Sequence, residues 1–231
     1  MNVRSKCLLC NSNDLIEIIE LGSHPCADTF IPQERIHEKE LEYPLVCCMC
    51  NDCGHIQSSI IVEEKIRYEL FDYSFLSSNT IPAQKHWQEY AKEIVSKIDL
   101  SKDNLIVEAG SNDGYFLSQF KKMGYANCFG IDPSKYVADI ASRQNIETLV
   151  GYFTFDTAEQ VLRSRGKADL IIANNVFNHS NDPNNFIDGV INLLNNNGTC
   201  IIEMPYWYSN IKSKKFDQIY HEHVSYFNVK P

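Results

Sequence analysis

The 231-residue sequence contains no apolar run near the roughly 20 residues that a membrane span requires, and Met1-Asn2-Val3-Arg4 leads into no signal-peptide core. A soluble, cytoplasmic protein is expected. Positive charge is scarce: 21 Lys and Arg against 30 Asp and Glu leave a formal net charge of -9. That balance excludes a nucleic-acid or anionic-membrane surface as the main role. The Gly-x-Gly-x-x-Gly loop that seats a dinucleotide is missing, as is the Gly-Lys-Ser/Thr that holds a triphosphate. Repeats and low-complexity tracts are also lacking. What remains is an ordinary globular mixture, 44% hydrophobic and 22% charged, sufficient to build a core.

Cysteine is abundant and unevenly placed. Of the 9 cysteines, Cys7, Cys10, Cys26, Cys47, Cys48, Cys50 and Cys53 fall in the first quarter of the chain. An odd number without a secretion signal argues against a disulfide framework. Cys7-x-x-Cys10 and Cys50-x-x-Cys53 instead form two knuckles that can close a tetrahedron around Zn(II), a structural site with no open position. Cys47 or Cys48 could stand in for Cys50, although Gly54 after Cys53 supplies the turn that favours the Cys50 pair. Reduced core cysteines are the bland alternative, and His24, His37 and His55 are expected in loops.

Three regions follow from composition and periodicity: a thiol-bearing segment over 1–66, a helical connector over 67–100, and an α/β segment over 101–231. Trp87, Tyr90, Ala91, Ile94, Val95 and Ile98 recur at helical spacing. Beyond them strand and helix signals alternate. Strands are predicted at 105–107, 128–131, 148–150, 169–173 and 199–203, and helices at 115–123, 135–143, 157–164 and 185–194. Asn195-Asn196-Asn197-Gly198 reads as a polar loop. This order demands a mostly parallel sheet with helical crossovers.

In such a sheet the ligand lies beyond the carboxyl ends of the strands. Glu108-Ala109-Gly110-Ser111-Asn112-Asp113-Gly114 follows the first of these strands, and its glycines permit a sharp turn and close backbone approach. Asp132, at the end of the next strand, is placed to accept two ribose hydroxyls. An acidic loop without a phosphate cradle suits a cationic nucleoside, and S-adenosylmethionine fits. Asn174, Asn175, Asn178 and His179 follow the fourth strand and face the same rim, unless they serve only turn chemistry. Tyr220-His221-Glu222-His223 then packs two imidazoles, a carboxylate and a phenol into four positions. It could be a metal pair, a structural cluster, or a general base poised near neutral pH.

Taken in order, the two Cys-x-x-Cys knuckles, Tyr43-Pro44-Leu45, the segment from Glu108 to Gly114, Asn174-Asn175-Val176 with His179, Glu203-Met204-Pro205 and the segment from Tyr220 to His223 resemble the zinc-containing sugar C-methyltransferases. The resemblance implies an α/β, class I methyltransferase Rossmann-like parallel sheet, incomplete at its C-terminal end, with a small N-terminal zinc-binding domain. It implies methyl transfer from S-adenosylmethionine to C3 of a nucleotide-linked, dTDP-type, 4-keto-deoxysugar. His223 would be the general base, with Tyr220 and Glu222 orienting it or binding sugar, His221 bracing the loop, and Tyr73 reaching toward the site. Glu108, Gly110, Asn112, Asp113, Gly114, Asp132, Asn174, Asn175 and His179 would hold the cofactor. Cys7, Cys10, Cys50 and Cys53 would hold zinc. The family's third domain, near which the nucleotide binds, is not among these 231 residues, which read as a C-terminally truncated piece; it is expected further along a longer polypeptide or on a separate chain. Rival expectations are an O- or N-methyltransferase of a glycan or small molecule, and a non-catalytic binder of S-adenosylmethionine.

Overall fold

The computed structural model describes residues 2–27, 31, 33–65 and 76–229. It divides into two compact units. One gathers residues 1–73, 175–184 and 204–231; the other holds 74–174 and 185–203. Tyr73 lies outside the described residues. Among the described residues no helix is long and apolar enough to cross a membrane.

The second unit is built on a parallel sheet of β6 (Ile106–Ala109), β7 (Cys128–Asp132), β8 (Glu147–Val150), β9 (Ala168–Asn174) and β10 (Leu194–Glu203), in the order β10-β9-β6-β7-β8. Its central strands are buried on both faces, and Ile106, Val107, Leu170, Ile171 and Ile172 are all fully enclosed. That is why they read as unbroken apolar runs rather than alternating ones. The chain runs outward from β6 through β7 to β8, then crosses back to β9 and β10 on the other side of β6, so the connections leaving the adjacent strands β6 and β9 lead in opposite directions. In open α/β sheets this switch point is where ligands bind.

Five helices belong to this sheet's crossovers and cover: α1 (Ile81–Lys97), α2 (Tyr115–Lys122), α3 (Lys135–Arg143), α4 (Phe155–Arg165) and α5 (Pro183–Leu193). The Thr80 hydroxyl caps α1 by accepting from the Ala83 N–H, and Pro82 sits in the first turn where a missing N–H does no harm. The apolar stripe read from the sequence buries Ala91 and Ile94, while Trp87 and Tyr90 lie 5.2 and 5.5 Å from the ring of Phe116 on α2. One expectation changes. The polar stretch after Leu194 is a bulge within β10, where Leu194 pairs with Ala168 but Thr199 already pairs with Leu170. Asn195 closes the bulge by donating to Asp169 at 3.0 Å.

The first unit contains an antiparallel sheet of β2 (Leu15–Pro25), β3 (Glu42–Cys50), β4 (Ile56–Ser58) and β11 (Ser225–Tyr226), in the order β11-β4-β3-β2. A two-stranded ribbon pairs β1 (Asn2–Val3) with β5 (Ile60–Ile61). Leu45, Cys47, Ile56, Trp207, Ile219 and Tyr226 form its apolar cluster, with Trp207 opening the short helix α6 (Trp207–Lys212). Pairing of Gln57 with Ser225 brings the thiol-rich segment beside the strand that follows His223.

Candidate active site

The two knuckles are local structures with their own backbone bonds. In the first, the Asn11 N–H donates to the Cys7 carbonyl at 3.0 Å; in the second, the Gly54 N–H donates to the Cys50 carbonyl at 2.8 Å. Fully buried Gln57 locks the first knuckle from both sides. It accepts from the Leu8 N–H at 2.8 Å and donates to the Lys6 carbonyl at 3.0 Å. The sulfurs of Cys7, Cys10, Cys50 and Cys53 all lie within 4.8 Å of one another. Cys7 meets Cys53, and Cys10 meets Cys50, at 3.6 Å. A zinc tetrahedron with 2.3 Å bonds has S···S edges of about 3.8 Å, so the four thiols fit the metal.

The cluster thiols are pulled in different directions: burial pushes Cys53 up to about 12, whereas Cys50 is lowered. Burial works against the Cys50 thiolate, yet the backbone N–H groups of Cys53 and Asp52 and the Cys10 thiol outweigh it and bring Cys50 down to about 7. Cys47 sits in the apolar cluster, and burial pushes it up to about 11. Distance sets aside the alternative in which Cys47 replaces Cys50, because it is the Cys50 sulfur that lies within 4.8 Å of those of Cys7, Cys10 and Cys53.

The glycine-rich turn and Asp132 lie in the second unit. Gly110 and Ser111 donate their N–H groups to the Ile131 carbonyl at 2.7 and 3.2 Å, folding the loop over the end of β7. Two glycines are sterically required here. A Cβ on Gly130 would lie 2.3 Å from Ser111 Oγ, and one on Gly114, at φ +73°, would lie 2.9 Å from the Ala141 Cβ. Asp132 accepts the Asn112 N–H at 2.8 Å through one oxygen and the Ser134 N–H at 2.9 Å through the other. Each oxygen retains a further lone pair for a ligand hydroxyl. Burial raises Asp132 to about 6 despite those two donors, with Asp113 adding to the rise.

Glu108 is fully buried and held well above the usual carboxylate range, first by burial and then by Asp132 and Asp113. Among the described residues its Oε2 has no partner, nor has either end of the Asn174 amide at the tip of β9. Three carboxylates and an unpaired amide at one sheet edge suit a cationic amino-acid nucleoside. Asp113 and Asn112 have a second occupation, however. Asp113 accepts the Tyr115 and Ser78 N–H groups at 3.1 Å each, and Asn112 Oδ1 accepts the Ser77 N–H at 2.9 Å. Their side chains hold the turn and the segment before α1.

The histidine cluster lies in the first unit. Residues 216–224 coil tightly, with Ile219 and Val224 buried as anchors and the Val224 N–H bound to the Asn178 carbonyl at 2.9 Å. His223 Nδ1 lies 2.8 Å from the Gln218 carbonyl. A carbonyl can only accept, so Nδ1 carries the proton and Nε2 of the neutral ring bears the lone pair. That lone pair faces the Tyr220 hydroxyl at 2.8 Å. Burial lowers the His223 pKa from its ordinary value, the Gln218 carbonyl opposing it. His179 stands 5.1 Å away, ring to ring, and Asn175 takes a left-handed φ of 54°. His221 donates through Nε2 to the Tyr43 carbonyl at 3.1 Å, and Glu222 is buried beside it in the chain.

Gln57, Trp207 and Asn210 escape sequence reasoning. Gln57 offers no spacing signal at all. The run Tyr206-Trp207-Tyr208-Ser209-Asn210, just past Glu203-Met204-Pro205, is the cue that could have drawn attention to the other two.

Comparison with known proteins adds five findings. The chain is 29% identical over 224 residues to the C-methyltransferase NovU of Streptomyces niveus, a match covering 97% of this chain and 53% of that protein. It therefore spans about half the length of that curated relative. Among solved structures, a Haloferax volcanii methyltransferase in complex with the Trm112 activator aligns at a TM-score of 0.49 with 17% identity, covering 64% of this chain and 67% of the other. A SAM-dependent methyltransferase of Thermotoga maritima aligns at 0.46 with 17% identity, covering 63% and 66%. A family model of a zinc binding domain matches residues 7–68, the segment whose four thiols fit the metal. A model described as a methyltransferase domain matches residues 83–230, and the chain belongs to that family, with its class I, Rossmann-like α/β fold.

Proposed function

We propose that the chain transfers a methyl group from S-adenosylmethionine to C3 of a nucleotide-linked 4-keto-deoxysugar, with His223 as the general base. The observation that carries this reading is the tautomer of His223: Nδ1–H is committed to the Gln218 carbonyl, which leaves a basic Nε2 beside a phenol. Burial keeps the ring neutral near pH 7, the state a base needs.

S-adenosylmethionine supplies, when bound, an electrophilic methyl on a sulfonium. Asp132 receives its ribose hydroxyls, while Glu108 and Asn174 serve its amino-acid end; Gly110 and Gly114 admit it to the backbone, and Asn175 and His179 complete the set. A proton beside a ketone is acidic because the resulting enolate carries its charge on oxygen. His223 Nε2 takes that proton. The Tyr220 O–H, released from Nε2 as the nitrogen fills, turns to donate to the developing oxyanion. Glu222 binds sugar hydroxyls, and His221 braces the loop through Tyr43. Zinc keeps the knuckles folded and takes no part in the chemistry. Nucleotide recognition falls to a further domain, on this polypeptide or on another.

The test is solvent exchange at the substrate C3 in heavy water, followed by NMR with a dTDP-linked 4-keto sugar. Wild type exchanges the C3 proton and, with S-adenosylmethionine, forms a carbon-bound methyl; His223→Ala abolishes exchange while keeping cofactor affinity. Exchange that persists in the variant assigns the base elsewhere. A methyl on oxygen or nitrogen, or cofactor binding without turnover, overturns the reading.

A further inference from the structure

The first unit ties the segments that carry His179 and His223 to the four-thiol cluster. The second knuckle closes on His55, whose carbonyl accepts the Cys50 N–H at 2.9 Å. The side chain of His55 points the connection onward. Its Nε2 meets Ser225 Oγ at 3.2 Å, two residues past His223, and both residues are buried, 1% and 2% exposed. Its ring lies 5.3 Å from that of Phe227, which stacks at 4.9 Å on Phe177, two residues before His179. The backbone repeats the link. The Ser58 N–H donates to the Val224 carbonyl at 2.8 Å, and the Val224 N–H donates to the Asn178 carbonyl at 2.9 Å. A second tether reaches the first knuckle. Asn184 Nδ2, in the first turn of α5, donates to the Leu8 carbonyl at 2.9 Å and lies 3.4 Å from that of Leu9. Leu8 and Leu9 are the two residues between Cys7 and Cys10.

Stability alone does not account for these contacts. Among the described residues His55 Nδ1 is buried without a partner, so the ring is desolvated for a single side-chain hydrogen bond. An apolar ring of the same size would contribute as much stability there; what the imidazole adds is a directional bond to the strand behind His223. Asn184 is exposed, where water would satisfy its amide, yet that amide reaches the two carbonyls inside the first knuckle. Four thiolates on one metal hold their bond lengths to within about 0.2 Å, which fixes how the two knuckles sit against each other. A reacting group misplaced by about 1 Å forfeits about a hundredfold in rate. We infer that His55 and Asn184 are positioning residues, through which the four-thiol cluster sets the place of the His179–His223 ring pair. The metal site is then part of how the base is aimed, and more than a staple for the segment that bears it. The pair's work as a base rests on the reading above; the tether itself does not.

The experiment compares the full zinc-loaded chain with Ser225→Ala, Asn184→Ala and the double variant. Ser225→Ala removes the partner of His55 while keeping the strand pairing, and both substitutions leave the four thiols in place, so zinc content by atomic absorption should match wild type. The ring ¹H–¹⁵N signals of His179 and His223, assigned with His179→Gln and His223→Gln, are read in the ligand-free protein. Exchanging zinc for cadmium, whose bonds to sulfur are longer, should move both signals in wild type, and the double variant should lose about half or more of that response. With a dTDP-linked 4-keto sugar, kcat of the double variant should fall about tenfold to a hundredfold. Its KM should change by less than about twofold, because the lost interaction serves the transition state. Asn184→Ala alone, at an exposed position, should show part of both effects even if Ser225→Ala folds poorly. Ring signals that ignore the metal exchange in wild type, or follow it undiminished in the double variant, overturn the tether, and so does an unchanged kcat. If wild type neither exchanges the C3 proton nor turns over, the base reading falls, and the ring signals alone decide the tether.

Discussion

Replacing Asp132 by Asn separates a cofactor contact from a turn contact. The carboxylate accepts the Asn112 N–H at 2.8 Å and the Ser134 N–H at 2.9 Å. An amide can satisfy one of these, but its NH2 must face the other, which leaves a buried donor unpaired at about 1–3 kcal/mol. An opposing effect comes from charge. A carboxyl raised from 3.8 to about 6 is ionised at neutral pH only at a folding cost of about 3 kcal/mol, which the neutral amide avoids. The two effects nearly offset, so the melting temperature of the cofactor-free protein should move by less than about 5 °C. Affinity has no such compensation. Losing a charge-assisted acceptor for ribose hydroxyls costs about 1.5–3 kcal/mol, or roughly 10- to 150-fold in Kd. Calorimetric titration with S-adenosylhomocysteine, beside a thermal melt, reads both quantities. An affinity within twofold of wild type would remove Asp132 from the ribose role. A collapse in melting temperature with affinity intact would make it a turn residue alone.

The same carboxyl predicts pH effects of opposite sign. Because its folded pKa lies above the unfolded one, its folding cost is fully present above about 6 and fades as pH falls toward 3.8. Cofactor affinity, which needs the carboxylate, should instead weaken about tenfold per unit below pH 6, as titrations from pH 5 to 8 would show. Cys53→Ser should lower bound zinc well below one per chain by atomic absorption; an unchanged stoichiometry would discard the four-thiol site. Gln57→Ala removes both bonds that clamp the first knuckle and leaves a buried gap. Denaturant melts should register a loss of about 2–4 kcal/mol, and a change under 0.5 kcal/mol would contradict the clamp.

The parallel sheet was legible because strands enclosed on both faces write themselves as apolar runs. Leu170-Ile171-Ile172-Ala173 could be little else, and the helix expected at 135–143 has those bounds in the structure. The antiparallel sheet was not legible. β2 leaves Ile16 and Ile18 exposed, so its pattern lacks clean alternation, and β11 has two residues whose partner strand lies far back in the sequence. The four-thiol cluster announced itself by spacing, and the sulfur distances favour Cys50 over Cys47. Asp132 was visible as an acid after an apolar run, whereas the second occupation of Asp113 and Asn112 needed coordinates.

The unit that carries the thiols is assembled from three separated stretches of chain, and His55 meets Ser225 across 170 positions. During synthesis the knuckles leave the ribosome well before β11, and β4 gains that partner only after residue 226 has been made. Closing so long a loop is slow compared with local pairing. Until then the edge of β4 and the seat of Trp207 stand open to water and to chaperones. A nascent chain loaded early with metal would hold its knuckles ready as a template, so supply of zinc during translation should govern the yield of active protein more than zinc added afterwards.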